Sequence, residues 1–225
     1  MQNHSLPLMI WLSPSFPVGA FAFSHGLEWA VETGDVHDYK SVCLWLDDLL
    51  QHGSGRSDTV SVALAYKAVQ AHDEQALQEL TEWVVAAQPS SERRLEALMQ
   101  GQAFALAIKS AWGHPRFTEL CELCGPDLPY SIAFGLACAC HAIPLPAALR
   151  AYALAFVSNL VSAAIRLGPL GQTDGQRVLS VMLPAVEATA LFAQTAEFHE
   201  WGGSAFYSDI SSMRHETQYT RLFRS

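Results

Sequence analysis

The sequence predicts an all-α fold. It reads as one bundle-like domain of roughly eight to ten helices over residues 1–211, with a tail of different character over 212–225. Three observations carry this. Apolar residues recur at i, i+3, i+4 and i+7 in segment after segment. No alternating run is long enough for a sheet, and no fixed-period repeat appears. Hydrophobic residues make up 50% of the 225 positions and charged residues 16%, so the chain can bury a sizeable core.

The elements follow in order. After a proline-marked loop at Ser13-Pro14 and Phe16-Pro17, a short helix is expected from Ser24 to Gly34. Asp38 is placed to cap the next, whose stripe is Val42, Trp45, Leu46, Leu49 and Leu50, and Gly53 and Gly55 should end it. A third helix is expected from Asp58 to Ala71, and Asp73 should cap a fourth that Pro89 stops. Ser90 or Ser91 then opens a long helix that closes at Gly113-His114-Pro115. Further helices are expected over Phe117–Cys124, Tyr130–His141 and Pro146–Leu167. In the last of these, Ala151–Ile165 carries no charge, the mark of a helix covered on all sides. The stretch GPLGQTDGQR should interrupt the pattern before another helix to about Phe198. Pro184 would kink that helix or mark its early turns.

Charge narrows the function. The net charge is −9, with 13 Lys+Arg against 22 Asp+Glu, which argues against a nucleic-acid binder. Only Lys40, Lys67 and Lys109 are lysines, and a surface short of charge is one that protein partners cover. Five cysteines in a chain of this length do not make a secreted disulfide framework. The opening MQNHSLPLMI lacks a basic n-region, so a cytoplasmic protein is expected. The charge-free run Leu128–Leu149 is long enough for a membrane span. Its prolines and His141 favour a buried helix instead.

Several chemistries are excluded by inspection. No lysine follows a glycine, so there is no phosphate-binding P-loop, and no G-x-S-x-G elbow is present. His199-Glu200 and His215-Glu216 lack the second histidine of a zinc protease. Ser24, His25 and Glu28 are the right types for a nucleophile, base and orienter. Neighbouring side chains on a helix diverge, however, and Ser24 reads better as a cap. Cys121, Cys124, Cys138, Cys140 and His141 have spacing tolerable for a structural metal site, and so for a metal-storage or sensor protein. The alternative is that these cysteines are small buried hydrophobes in an Ala-rich core.

Two segments look like interfaces. Phe16, Phe21 and Phe23 crowd between the proline loop and a helix start, either folded back or held out to a partner. The tail DISSMRHETQYTRLFRS mixes Arg214, Arg221 and Arg224 with Met213, Tyr219, Leu222 and Phe223. As a helix it would place Met213, Glu216, Tyr219 and Phe223 on one face. Alone it is too short and polar to persist, so it is expected to order on binding a partner.

Four blocks now carry a resemblance. SMRHETQYTRLFRS (Ser212–Ser225) and FPVGAFAFSHGLE (Phe16–Glu28) closely resemble the C- and N-terminal signatures of the UreF family of urease accessory proteins. PLGQTDGQR (Pro169–Arg177) and SERRLEALMQG (Ser91–Gly101) resemble two further blocks, in the same order along the chain. The resemblance implies an all-helical, non-enzymatic adapter without a cofactor of its own. It would bridge UreD (UreH) and the GTPase UreG on apo-urease, modulate that GTPase, and tend to form a homodimer, while the complex handles the nickel. By position, Met213, Arg214, His215, Glu216, Gln218, Tyr219 and Arg221 fall at the UreD contact. Gly19, Phe21, Ser24 and Gly26 fall on the UreG and dimer side. Ala20, Ala22 and Phe23 replace the family's frequent Gly, Ser and Tyr, which removes hydroxyls and keeps the shape.

Overall fold

The computed structural model describes residues 5–225 and, among them, contains helices and no strand. The helices are α1 (Ser5–Trp11), α2 (Leu27–Glu32), α3 (Tyr39–Gln51), α4 (Ser54–Ala71), α5 (Glu74–Ala86), α6 (Ser91–Ala111), α7 (Pro115–Cys124), α8 (Tyr130–Cys140), α9 (Leu145–Leu167), α10 (Gln172–Thr195) and α11 (Phe206–His215). Short 3-10 turns lie at Ala20–Ala22 and Phe198–Glu200.

The starts of these helices follow from capping chemistry. Asp38 accepts from the Ser41 N–H while the Ser41 hydroxyl reaches back, a reciprocal capping box for α3. Asp73 caps α5 through Ala76, and Ser90 caps α6 through Arg93. Pro115 stands in the first turn of α7, where its missing N–H costs nothing.

Burial divides the interior into two apolar clusters. One is built by α4, α6, α7 and α8 with parts of α1 and α5, the other by α2 and α3 with much of α9 and α10. The turn at 168–171 makes α9 and α10 antiparallel neighbours. Both run through the two clusters: Leu149 and Ala193 belong to the first, Val157 and Val178 to the second. The most enclosed helix is α8, buried from Ser131 through Ala139. It takes the covered place expected of Ala151–Ile165, since Leu154 of α9 is 37% exposed. By length and composition α9 and α10 would each pass as a membrane span; here they pack on one another.

Three boundaries differ from expectation, each for a packing reason. α4 begins at Ser54 rather than Asp58, because Gly55 joins its first turn where a Cβ would meet Leu49 O and Phe156 at 3.0 Å. α10 begins inside the glycine-rich stretch, at Gln172, with Gly175 pressed against Ile165 and Val161. Pro184 lies in the interior of that helix rather than near its start. The short helix near Ser24 begins only at Leu27, because His25 and Gly26 have positive φ values of 56° and 77°.

The tail departs most. α11 covers its first part, across the expected boundary at 211/212, and ends at His215. Beyond it the chain turns, so Tyr219 is fully exposed while Phe223 is buried at 4%, and the shared helical face does not form. The tail was expected to order on a partner; in the chain alone it is folded against α2, α6 and the loop before α2.

Candidate functional site

The tail is held by a buried polar network that joins three distant stretches of sequence. Its anchor is Glu28, in the first turn of α2. The Glu28 carboxylate accepts the backbone N–H of Leu222 at 2.6 Å and of Phe223 at 2.8 Å, and faces His215 Nε2 at 2.9 Å. The other ring nitrogen of His215 faces Glu92 at 2.6 Å, and Glu92 also accepts from Arg221 at 2.7 Å. Each imidazole–carboxylate contact needs one bridging proton, so His215 is fully engaged. It is completely buried.

A second tier lies one turn further along α6. Glu96 pairs with Arg93 and accepts from Ser225 Oγ at 3.0 Å and Gln100 at 2.8 Å, with His25 Nε2 at 2.9 Å. His25 Nδ1 lies 3.5 Å from Ser54 Oγ, so a neutral Nε2–H tautomer serves both contacts. Burial, with Arg93 beside it, lowers the His25 pKa despite Glu96. Burial opposes ionisation of Glu96, yet Arg93, His25 and the Ser225 hydroxyl hold its carboxyl at about 2. Asp58, 3.9 Å from Arg93, is pushed up to about 6 by burial because Arg93 is committed mainly to Glu96. A cleft of about 790 Å³ opens beside this tier, with Asp58, Arg93 and Glu96 on its floor and Trp11, Phe16 and Phe156 among its walls.

Backbone contacts complete the clasp. Ser24 N–H donates to Ser225 O at 2.7 Å, the Ser24 hydroxyl donates to the same oxygen, and Arg224 N–H donates to Ala22 O at 2.8 Å. Glu216 accepts from the Ser91 N–H and hydroxyl, each at 2.8 Å. α11 lies so close to α2 that a Cβ on Gly26 would sit 2.6 Å from Ser212 N. With φ of +77°, that position requires glycine on both counts. The Phe223 ring belongs to the second apolar cluster, and the Arg166 guanidinium lies over it at 4.2 Å.

The tail and loop residues singled out in sequence sort into two kinds, apart from Gln218, which is half-buried and donates to Thr220 O at 3.0 Å. Ser24, Gly26, His215, Glu216 and Arg221 bind the tail to the body. Met213, Arg214 and Tyr219 are exposed, as are Phe206, Ile210 and Leu222. Phe206, Ile210 and Met213 form an i, i+4, i+7 stripe along α11. Gly19 takes a left-handed φ of 73° in the loop, and Phe21 is 66% exposed, whereas Phe23 is buried. Sequence reading missed Glu92, Arg93, Glu96 and Asp58 as parts of the site. Two buried glutamates flanking a buried arginine, one turn apart on α6, were the available signal.

Two other sets are not assembled. Ser24 and His25 do not meet: their side chains bond to Ser225 and to Glu96 and Ser54, so no nucleophile–base pair exists. The cysteine set forms no metal centre, since no three His, Cys, Asp or Glu converge to hold an ion among the described residues. Burial raises the Cys121 thiol to about 12 and Cys140 to about 11, and drives Cys138 far up. Cys121 and Cys138 pack in the apolar core, and Cys140 lies partly buried against it.

Comparisons with known proteins identify relatives along nearly the whole chain. A family model described as UreF matches residues 36–183. The chain is 50% identical over 218 residues to the urease accessory protein UreF of Rhodopseudomonas palustris, covering 97% of this chain and 92% of that protein. It is 48% identical over 220 residues to the UreF of Xanthobacter autotrophicus, covering 98% and 90%. With the UreF of Azorhizobium caulinodans it shares 47% over 221 residues, covering 98% and 95%.

Proposed function

Because this chain belongs to the UreF family of urease accessory proteins, we propose that it is a cytoplasmic, non-enzymatic adapter. It bridges UreD (UreH) and the GTPase UreG on apo-urease during GTP-dependent nickel insertion and modulates that GTPase. The supporting observation is the division of labour in the tail. A buried network pins one side of it and leaves a ridge exposed on the other, made of the Phe206, Ile210 and Met213 stripe with Arg214 and Tyr219. Such a ridge combines the residue types that dominate interface energies with a preorganised backbone, so little ordering entropy is lost on binding. In this reading the ridge is the UreD contact, and Gly19 and Phe21 lie on the UreG and dimer side.

An adapter works by effective concentration. Two partners held on one rigid body meet at roughly millimolar effective concentration, even when their direct affinity is weak. The chain needs no nucleotide site for this, which agrees with its lack of a P-loop lysine.

Complementation tests the proposal. In cells that make urease but lack this protein, the wild-type chain should restore nickel-loaded, active urease. Tyr219→Ala combined with Met213→Glu should not, although the variant chain accumulates normally. Full activation by the double variant would refute the assignment of the ridge.

A further inference from the structure

An aromatic cluster lies apart from the tail network. Trp83 of α5 meets Phe198 edge to face with ring centroids 6.4 Å apart, and Phe198 stacks on Trp201 at 6.3 Å. Trp83 is 56% exposed and Phe198 45%. Trp201 is anchored beneath them, since its indole N–H donates to Ser61 Oγ at 2.7 Å. Single exposed aromatics are ordinary, but a contiguous trio on a fixed base marks an interaction surface.

Charge identifies what the surface suits. Glu79 lies one turn before Trp83 on the same side of α5, and Glu197 and Glu200 flank Phe198 in sequence. None of these three glutamates has an ion-pair partner among the described residues; Glu79 accepts from Gln75 at 2.8 Å, and Glu197 and Glu200 cap the turn reciprocally through each other's backbone N–H. Two cations are pinned to the backbone of the same stretch, Lys67 by Ala196 O at 2.8 Å and Arg56 by the carbonyls of Glu200 and Gly202 with its guanidinium over Phe192, so neither reaches a carboxylate of the patch. The patch therefore offers π faces beside carboxylates that retain free lone pairs and make no ion pair. A guanidinium satisfies both, stacking flat on an indole while its edge donates to a carboxylate. A lysine ammonium is more strongly hydrated and cannot stack in this way.

We propose that the Trp83–Phe198–Trp201 patch docks an arginine-bearing loop or tail of a protein partner, with the guanidinium over the exposed rings and Glu79 or Glu197 as its counter-ion. The inference extends the adapter reading, because α5 and the Phe198–Glu200 turn make none of the tail's hydrogen bonds and so supply a separate face.

The test uses the full chain and a fluorescein-labelled Gly-Ser peptide carrying paired arginines, followed by anisotropy. Binding should saturate below roughly millimolar peptide. It should weaken about tenfold when citrulline replaces arginine, and by a similar factor in Trp83→Ala. Glu79→Gln with Glu197→Gln, both on the surface, should weaken binding and flatten its dependence on salt. Equal binding of the arginine and citrulline peptides, wild-type affinity in Trp83→Ala, or no saturation would overturn the proposal. So would sedimentation showing that Trp83→Ala turns a dimer into a monomer, since a second copy would then cover the patch. No urease component enters this assay, so its failure would leave the adapter reading standing.

Discussion

Replacing Glu28 by alanine should undock the tail while leaving the helical body folded. Three donors converge on this carboxylate: the N–H groups of Leu222 and Phe223 and the imidazole of His215. Hydrogen bonds to a charged acceptor each contribute about 1.5–3 kcal/mol net, and removing the acceptor also leaves buried donors unsatisfied. The three are coupled and not additive. What still holds the tail is burial of Phe223, about 2–3 kcal/mol, with the Arg221–Glu92 pair and the Ser225 contacts. A loss of about 3–4 kcal/mol of docking free energy is therefore expected, or roughly a hundred- to thousandfold faster exchange at the tail amides. Hydrogen–deuterium exchange reads this directly. Leu222 and Phe223 should lose protection, while amides of α8 and α9 keep theirs. Glu28→Gln retains one acceptor oxygen and should fall between the two. Unchanged protection of Leu222 and Phe223 in the alanine variant would refute the assignment of Glu28 as the anchor.

Three further outcomes follow from the same geometry. Gly26→Ala adds a Cβ 2.6 Å from Ser212 N at a positive φ; denaturant titration should show a loss of about 1–3 kcal/mol, whereas Gly19→Ala, with open space around it, should lose less. In the pH profile, Glu96 is ionised in the fold down to about 2, so its stabilisation is complete above the unfolded carboxylate value near 4.5 and is lost as pH falls towards 2. Asp58 is raised to about 6, so the folded state loses stability as pH rises from about 4 to 6; Asp58→Asn should remove that loss, worth at most about 3 kcal/mol, in melts at pH 4 and pH 7. Chelator should leave the melting temperature unchanged, and Cys138 should resist alkylation at pH 8, because the cysteines form core packing and not a metal site.

The helical body was legible because its signals are local. Asp38, Asp73 and Ser90 lie where capping chemistry needs them, and the stripe from Val42 to Leu50 is buried as its spacing requires. Failures came where tertiary contact overrides a local rule. Gly55 and Gly175 look like helix breakers but sit inside helices because a neighbour passes too close for a side chain. The tail looked like a segment awaiting a partner because its polarity is high. That polarity is instead matched by Glu28, Glu92 and Glu96, which lie more than 120 residues away in sequence. Local patterning carries no information about such pairings. The tail's blend of Arg, Tyr and Phe is divided by the fold. The structure separates it into an inward set that clasps and an outward set that is displayed.

The most direct test of the central claim is light scattering coupled to size-exclusion chromatography on this chain coexpressed with its UreD partner. The wild-type chain and the Tyr219→Ala, Met213→Glu variant would be compared, with hydrogen exchange confirming that the variant's tail is still docked. Coelution of the wild type with UreD, and separate elution of the variant, is the predicted result. A variant that coelutes with UreD as the wild type does would contradict the account, because the ridge held out by the buried network would then not be the contact.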